Sequence, residues 1–185
     1  MMKKHMLVTL LLVLSLCLPI SICAAASYDN EKFGFAIEGP LGWPVTQKDN
    51  IMDMGDMGSM GVLVRFNKDS AHREPYLSVT LLPVRPQEET YTALDMAKDH
   101  IEETQGVKKN NFKLVEDPKV TSINGIEIAY TIYEITVNNG LTYRHLLYYI
   151  RKGDVFFQIV AVAKKDEFEG YLKDFDYSIN TINLR

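Results

Sequence analysis

Apolar and polar positions are most regularly ordered in the second half of the chain. Three runs, Ile126 to Val137, Leu141 to Arg151 and Val155 to Ala163, are rich in Ile, Val, Tyr, Phe and Thr, residue types that fit a pleated surface. Asn138-Asn139-Gly140 and Lys152-Gly153-Asp154 separate them, and Asn and Gly tolerate the positive φ that tight turns require. The pattern predicts a three-strand antiparallel meander at the centre of one sheet. In the third run Val155, Phe157, Ile159 and Ala161 face one way, and Phe156, Val160 and Val162 the other. Both sets are apolar, so the sheet is expected to be covered on both sides.

The flanking segments supply strands and covers. Phe33-Gly34-Phe35-Ala36-Ile37 alternates and is closed by Gly39-Pro40. Gly61 to Asn67 and Pro75 to Val84 read as strands, the second confined by Pro83 and Pro86 to an end or an edge. Leu94, Ala97, Ile101 and Thr104 recur at helical spacing over Tyr91 to Gln105. Thr90 or Thr92 caps this helix, Asp95 completes a capping box with Thr92, and Gly106 is its expected stop. Asn111 to Val115 and Val120 to Ile123 read as two short strands, and Asn124-Gly125 as a hairpin turn. Phe168, Tyr171, Leu172, Phe175, Ile179 and Ile182 form an amphipathic stripe. It is expected to break near Asp176, with Asp166 and Glu169 as a cap pair. The fold class predicted is α/β (α+β): a three-layer α/β/α sandwich with a central, mostly antiparallel sheet.

The first residues change the picture of compartment. Lys3, Lys4 and His5 precede an apolar stretch from Leu7 to Ile22, and Ala24-Ala25-Ala26 follows, the layout of a secretory signal. The expected division is a signal over 1–26 and a single domain over 27–185. The apolar stretch, interrupted by Pro19, is shorter than the roughly 20 residues of a membrane span. Ile22 before Cys23 and Leu16 before Cys17 fit acylation poorly. Cys17 and Cys23 are the only cysteines, so the mature chain would hold neither a disulfide nor a thiol nucleophile. Its 18 Lys and Arg against 24 Asp and Glu argue against nucleic acid and anionic lipid as partners.

Candidate chemistry is sparse. No Gly-x-Ser-x-Gly elbow, Gly-rich phosphate loop or His-Glu-x-x-His helix occurs, so no catalytic residue, cofactor site or metal site is assigned. Asp95 and Asp99 lie one helical turn apart on what reads as a solvated face. His72 and Arg73 fall in a charged connector, Lys68 to Glu74, and read as solvated. His100 adjoins the helix stripe as a boundary residue. His145 shares a face with Tyr143, Leu147 and Tyr149 and is the first histidine to test for pH sensitivity. Tyr130, Tyr133, Tyr143, Tyr148 and Tyr149 read as buried rings, and Trp43 as a plug at one end of the core. Ile51 to Gly61 carries Met52, Met54, Met57 and Met60 among three glycines and reads as a mobile loop. Its thioethers either fold over an apolar patch or hold Cu(I) or Ag(I). Asp53 and Asp56 alone fall short of a Ca²⁺ site.

Phe33-Gly34-Phe35-Ala36-Ile37, Pro40, Gly42-Trp43, the Asn124-Gly125 turn and the closing Phe168, Tyr171, Phe175, Ile179 helix together resemble the PsbP-like family. That family includes the extrinsic PsbP subunit of photosystem II and secreted bacterial DcrB-like proteins. The resemblance covers nearly all of Ser27 to Arg185 and implies an antiparallel sheet flanked by helices in a non-catalytic adaptor. The methionine-rich stretch has no counterpart in that pattern. The expectation is therefore an exported, non-enzymatic binding protein, monomeric or weakly oligomeric, whose partner is another envelope protein met through loops at one end of the sheet. A periplasmic soft-metal carrier is the alternative, and an unrecognised hydrolase ranks below both.

Overall fold

A computed structural model describes residues 24–69 and 74–185. The signal-like residues before Ala24, and His72 and Arg73, lie outside that range. In chain order, β1 (Ala25–Asn30), β2 (Phe35–Leu41), β3 (Val45–Asp53), β4 (Ser59–Asn67) and β5 (Tyr76–Pro83) lead to helix α1 (Ala93–Lys108). Strands β6 (Phe112–Ile123), β7 (Ile126–Thr136), β8 (Thr142–Lys152) and β9 (Val155–Lys164) follow, then helix α2 (Phe168–Asn180) and the short β10 (Asn183–Leu184). Among the described residues the main sheet has seven strands in the order β3-β4-β5-β9-β8-β7-β6. Every neighbouring pair in it is antiparallel.

The β7–β8–β9 meander is the one its apolar runs predict. Gly140 and Gly153 turn the chain at positive φ, and Asn124 and Gly125 both take positive φ between β6 and β7, the pair a type I′ turn requires. The two faces of the meander lie in two different cores. Ala93, Ala97 and Ile101 of α1 pack with Ala129, Tyr133, Leu147, Tyr149 and Phe156. Phe168, Phe175 and Ile179 of α2 pack with Leu146, Tyr148, Ile150, Phe157, Ile159 and Ala161 on the other face. The helices thus cover opposite sides, giving three layers. Each buried aromatic or branched side chain contributes roughly 1.5–3 kcal/mol, which a chain without a described disulfide needs.

Three local readings are corrected. A second, three-stranded sheet, β1-β2-β10, shares the α2 layer, because Phe35 stacks face-on over Phe157 of the main sheet (ring centroids 4.6 Å apart) rather than joining its edge. Strand β2 continues through Gly39-Pro40, accommodated by a shift of register against β1. Pro83 closes β5, at an end as expected, although β5 is an interior strand. Phe112 to Ile123 forms one strand whose register slips twice around Glu116, so Pro118 interrupts pairing without ending the strand.

Helix ends differ from expectation as well. Thr92 and Asp95 do form a reciprocal capping box, but α1 runs through Gly106 and stops at Lys109, which takes positive φ. Gly106 stands in open space, so nothing there forces a left-handed turn. Helix α2 is unbroken at Asp176, and no side chain caps its start. Glu169 instead accepts a hydrogen bond from Arg144 (2.7 Å), and Asn124 donates to the carbonyl of Asn180 at the far end (2.7 Å). Trp43 is buried and meets Tyr171 and Phe175 edge-on, as the plug predicted for it.

Phe175→Ala is therefore expected to cost about 3–5 kcal/mol of stability and to red-shift the emission of Trp43, the only tryptophan. Chemical unfolding followed by fluorescence measures both. An unchanged midpoint would show that α2 does not depend on this ring.

Candidate binding surfaces

The methionine-rich stretch is an ordered hairpin, not a mobile loop. Met52 of β3 stands directly opposite Met60 of β4, and Asp53 opposite Ser59. A single 3₁₀ turn, Gly55–Met57, closes the tip. There the Met54 amide donates to the carbonyl of Gly58 (2.8 Å), and the Gly55 amide donates to the carboxylate of Asp53 (3.0 Å). The glycines build this geometry. Gly55, Gly58 and Gly61 all take positive φ, and a Cβ on Gly61 would lie 2.2 Å from the Asn50 carbonyl oxygen. Met52, Met54 and Met57 are exposed and Met60 is half-buried.

The histidines belong to the α1 layer. His145 lies opposite Tyr133 across the β7–β8 pair, and the rings stack 4.7 Å apart. His100 of α1 bridges two buried tyrosines: its Nε2 is 3.2 Å from the Tyr133 hydroxyl and its Nδ1 3.2 Å from the Tyr149 hydroxyl. Gln158 donates to the same Tyr149 oxygen. Burial pushes His145 down to about 4, with the nearby His100 adding to the effect. Burial also lowers His100, against the opposing charge of Glu103, and raises Tyr133 and Tyr149. These groups are neutral at pH 7; hydrogen bonds link His100, Tyr133, Tyr149 and Gln158, and His145 adds a stacked ring, which makes them a structural polar seam between helix and sheet. Tyr130 and Tyr148 pair on the other face of the sheet.

The carboxylates are committed to structure. Asp95 accepts hydrogen bonds from the Thr92 amide and hydroxyl, so it is engaged in the cap of α1 rather than paired with Asp99. Glu134, hidden in the apolar pattern of β7, is buried and held by Arg144 (2.9 Å) and Lys165 (3.1 Å). Burial alone would raise its pKa, but these two cations outweigh it and keep the carboxyl below the usual range. Asp53 is engaged in its own turn. Among the described residues no group of three or more His, Cys, Asp or Glu side chains is placed to hold a metal.

One feature has no signal in the sequence. Strand β1 pairs only with β2, and β3 only with β4, among the described residues. Both edge strands border one cleft of about 430 Å³, lined by Ser27 to Asp29 and Val45 to Asp49. Tyr28 and Asn30 reach across it to the Asp49 carboxylate (2.7 and 3.2 Å). The gap arises because β1 and β2 form a separate sheet, and pairing between distant strands cannot be read from one sequence.

No family model and no curated protein matches the chain. Solved structures do. Cyanobacterial PsbP (CyanoP) from Synechocystis sp. PCC 6803 superposes with a TM-score of 0.64 at 17% identity, covering 91% of this chain and 97% of that one. A protein of unknown function, PA94 from Pseudomonas aeruginosa, described as a putative regulator, matches with a TM-score of 0.52 at 12% identity over 87% of this chain and 97% of its own. LpqN, involved in cell envelope biogenesis of Mycobacterium tuberculosis, matches with a TM-score of 0.51 at 12% identity, over 87% of this chain and 90% of that one. At these identities the likeness establishes the fold, which is PsbP-like.

The histidine seam makes stability depend on pH. A free imidazole titrates near pH ~6.5, whereas His145 holds out to about 4. Between these values the unfolded chain binds the extra proton, so this contribution is complete above pH ~6.5 and falls as the pH drops through the window, by on the order of 2–3 kcal/mol at pH ~4. Urea unfolding at pH 7 and pH 4.5 should show a smaller loss for His145→Phe than for the parent protein. Equal losses would assign the acid sensitivity to other groups.

Proposed function

We propose that the protein is an exported, non-catalytic binding protein of the cell envelope that receives an extended segment of a partner protein between the edges of β1 and β3. The observation that carries this reading is the pair of strand edges bordering one cleft. An unpaired edge presents a row of amide donors and carbonyl acceptors that templates another strand, and addition of a peptide strand to such an edge is a common recognition mode. Here two edges flank one opening, so a single inserted strand would gain partners on both sides.

Three further observations support the compartment and the class. The basic start, apolar stretch and alanine triplet of residues 1–26 have the form of a secretory signal. The fold is shared with CyanoP and with a protein of cell envelope biogenesis. Asp95, Glu134 and His100 are engaged in a cap, ion pairs and the polar seam.

Two experiments test the proposal. The exported protein is expected to begin at Ser27, read by amino-terminal sequencing of the extracytoplasmic fraction. Retention of the full chain in the cytoplasm would remove the envelope from the reading. A photo-crosslinker replacing Lys48, on the cleft wall, should form one specific adduct in cells, whereas one replacing the exposed Val107 of α1 should not. Equal labelling at both positions, or none at Lys48, would overturn the cleft as the docking site.

A further inference from the structure

The β3–β4 hairpin leaves a set of side chains that the docking cleft does not use. Four of the five methionines beyond Met6 lie within nine residues of each other. The register puts Met52 and Met60 directly opposite, so both stand on one face. Met54 and Met57 border the 3₁₀ turn at the tip, two and three residues away from that pair. Methionine ordinarily fills gaps in a core, yet Met52 is 57% exposed and Met57 65%. The scaffold beneath them is fixed by three positive-φ glycines and by the bonds closing the tip. A Cβ on Gly58 would meet Pro83 at 3.1 Å, so the tip rests against the end of β5.

We propose that Met52, Met54, Met57 and Met60 form a binding site for a soft monovalent d¹⁰ cation, Cu(I) or Ag(I). Thioethers are neutral, polarisable donors that select soft metals over Mg²⁺, Ca²⁺ or Zn²⁺. They do not titrate, so such a site keeps its affinity where histidine or cysteine sites lose theirs to protons. The Asp53 carboxylate is turned inward to the Gly55 amide, which leaves sulfur as the donor set. Asp56 follows in the same turn and contributes a negative charge that favours a cation. No change of oxidation state is involved: the ion arrives and leaves as the monovalent species.

The test uses Ag(I), which needs no reductant, with the protein from Ser27 to Arg185 labelled at its methionine methyl groups. One equivalent of Ag(I) should shift the resonances of Met52, Met54, Met57 and Met60 and leave that of Met96, in α1, in place. Replacing all four by leucine keeps their apolar bulk and should weaken Ag(I) binding at least tenfold in competition with a chelator, while Met96→Leu should not. The parent protein should show no matching shifts with Zn(II). Absence of shifts, equal shifts at all five methionines, or unchanged affinity in the fourfold variant would each overturn the site. A circular dichroism spectrum and unfolding midpoint equal to those of the parent establish that the fourfold variant is folded.

Discussion

The structure depends on the double burial of β8 and β9. Phe157, Ile159 and Ala161 enter one core while Phe156, next to Phe157 on the alternate face, enters the other. A strand apolar on both sides cannot stand at a water-facing surface, so it requires two independent covers. The chain supplies them from opposite ends: α1 is inserted between β5 and β6, and α2 follows β9 directly. The small sheet completes the second cover where α2 does not reach, through Phe35 on Phe157. Polar side chains then lock the layers. Lys152 of β8 donates to the carbonyls of Phe33 and Gly34 at about 3 Å, and Arg151 beside it donates to the Glu89 and Tyr91 carbonyls before α1. Two adjacent residues of one strand thus fasten the element above the sheet and the element below it.

Much of this was legible because burial leaves a periodic trace. Alternation marked the meander, the spacing of Leu94, Ala97 and Ile101 marked α1, and that of Phe168, Phe175 and Ile179 marked α2. Asn124-Gly125 announced its turn because few other residues accept two successive positive φ values. Several misread positions share one cause: glycine and proline signal conformational freedom or constraint, not its outcome. Gly106 is tolerated inside α1 because nothing crowds it, and Gly39-Pro40 lies within β2 because the register slips there. At the methionine stretch the glycines suggest a mobile loop, yet Gly61 is required by the close approach of the Asn50 carbonyl. A tight hairpin and a floppy loop have the same composition, and only the partner strand distinguishes them.

The candidate surfaces were less legible, for a physical reason. Tyr143, His145, Leu147 and Tyr149 could be placed on one face, but the bond from His100 depends on how α1 is docked. Glu134 hid inside an apolar run because its two cations come from Arg144 and Lys165, far along the chain. The cleft was not visible at all. It is made of backbone, and whether an edge is paired is a property of the topology rather than of the residues that form it.

These facts together separate stabilising chemistry from chemistry left free for partners. Polar groups inside the layers, the seam around His100 and the cations on Glu134, are mutually satisfied, and breaking any of them leaves a buried group unpaired. Among the surfaces the layers leave free are the outer edge of β3 along Val45 to Asp49 and the hairpin from β3 into β4, which carries Met52, Met54, Met57 and Met60. Strand β3 is the outermost of the seven, held on one side only, so ligands can meet it without disturbing the cores made by β8 and β9. An edge strand and the methionine-bearing hairpin that continues it can carry two kinds of recognition on a frame that neither of them has to deform.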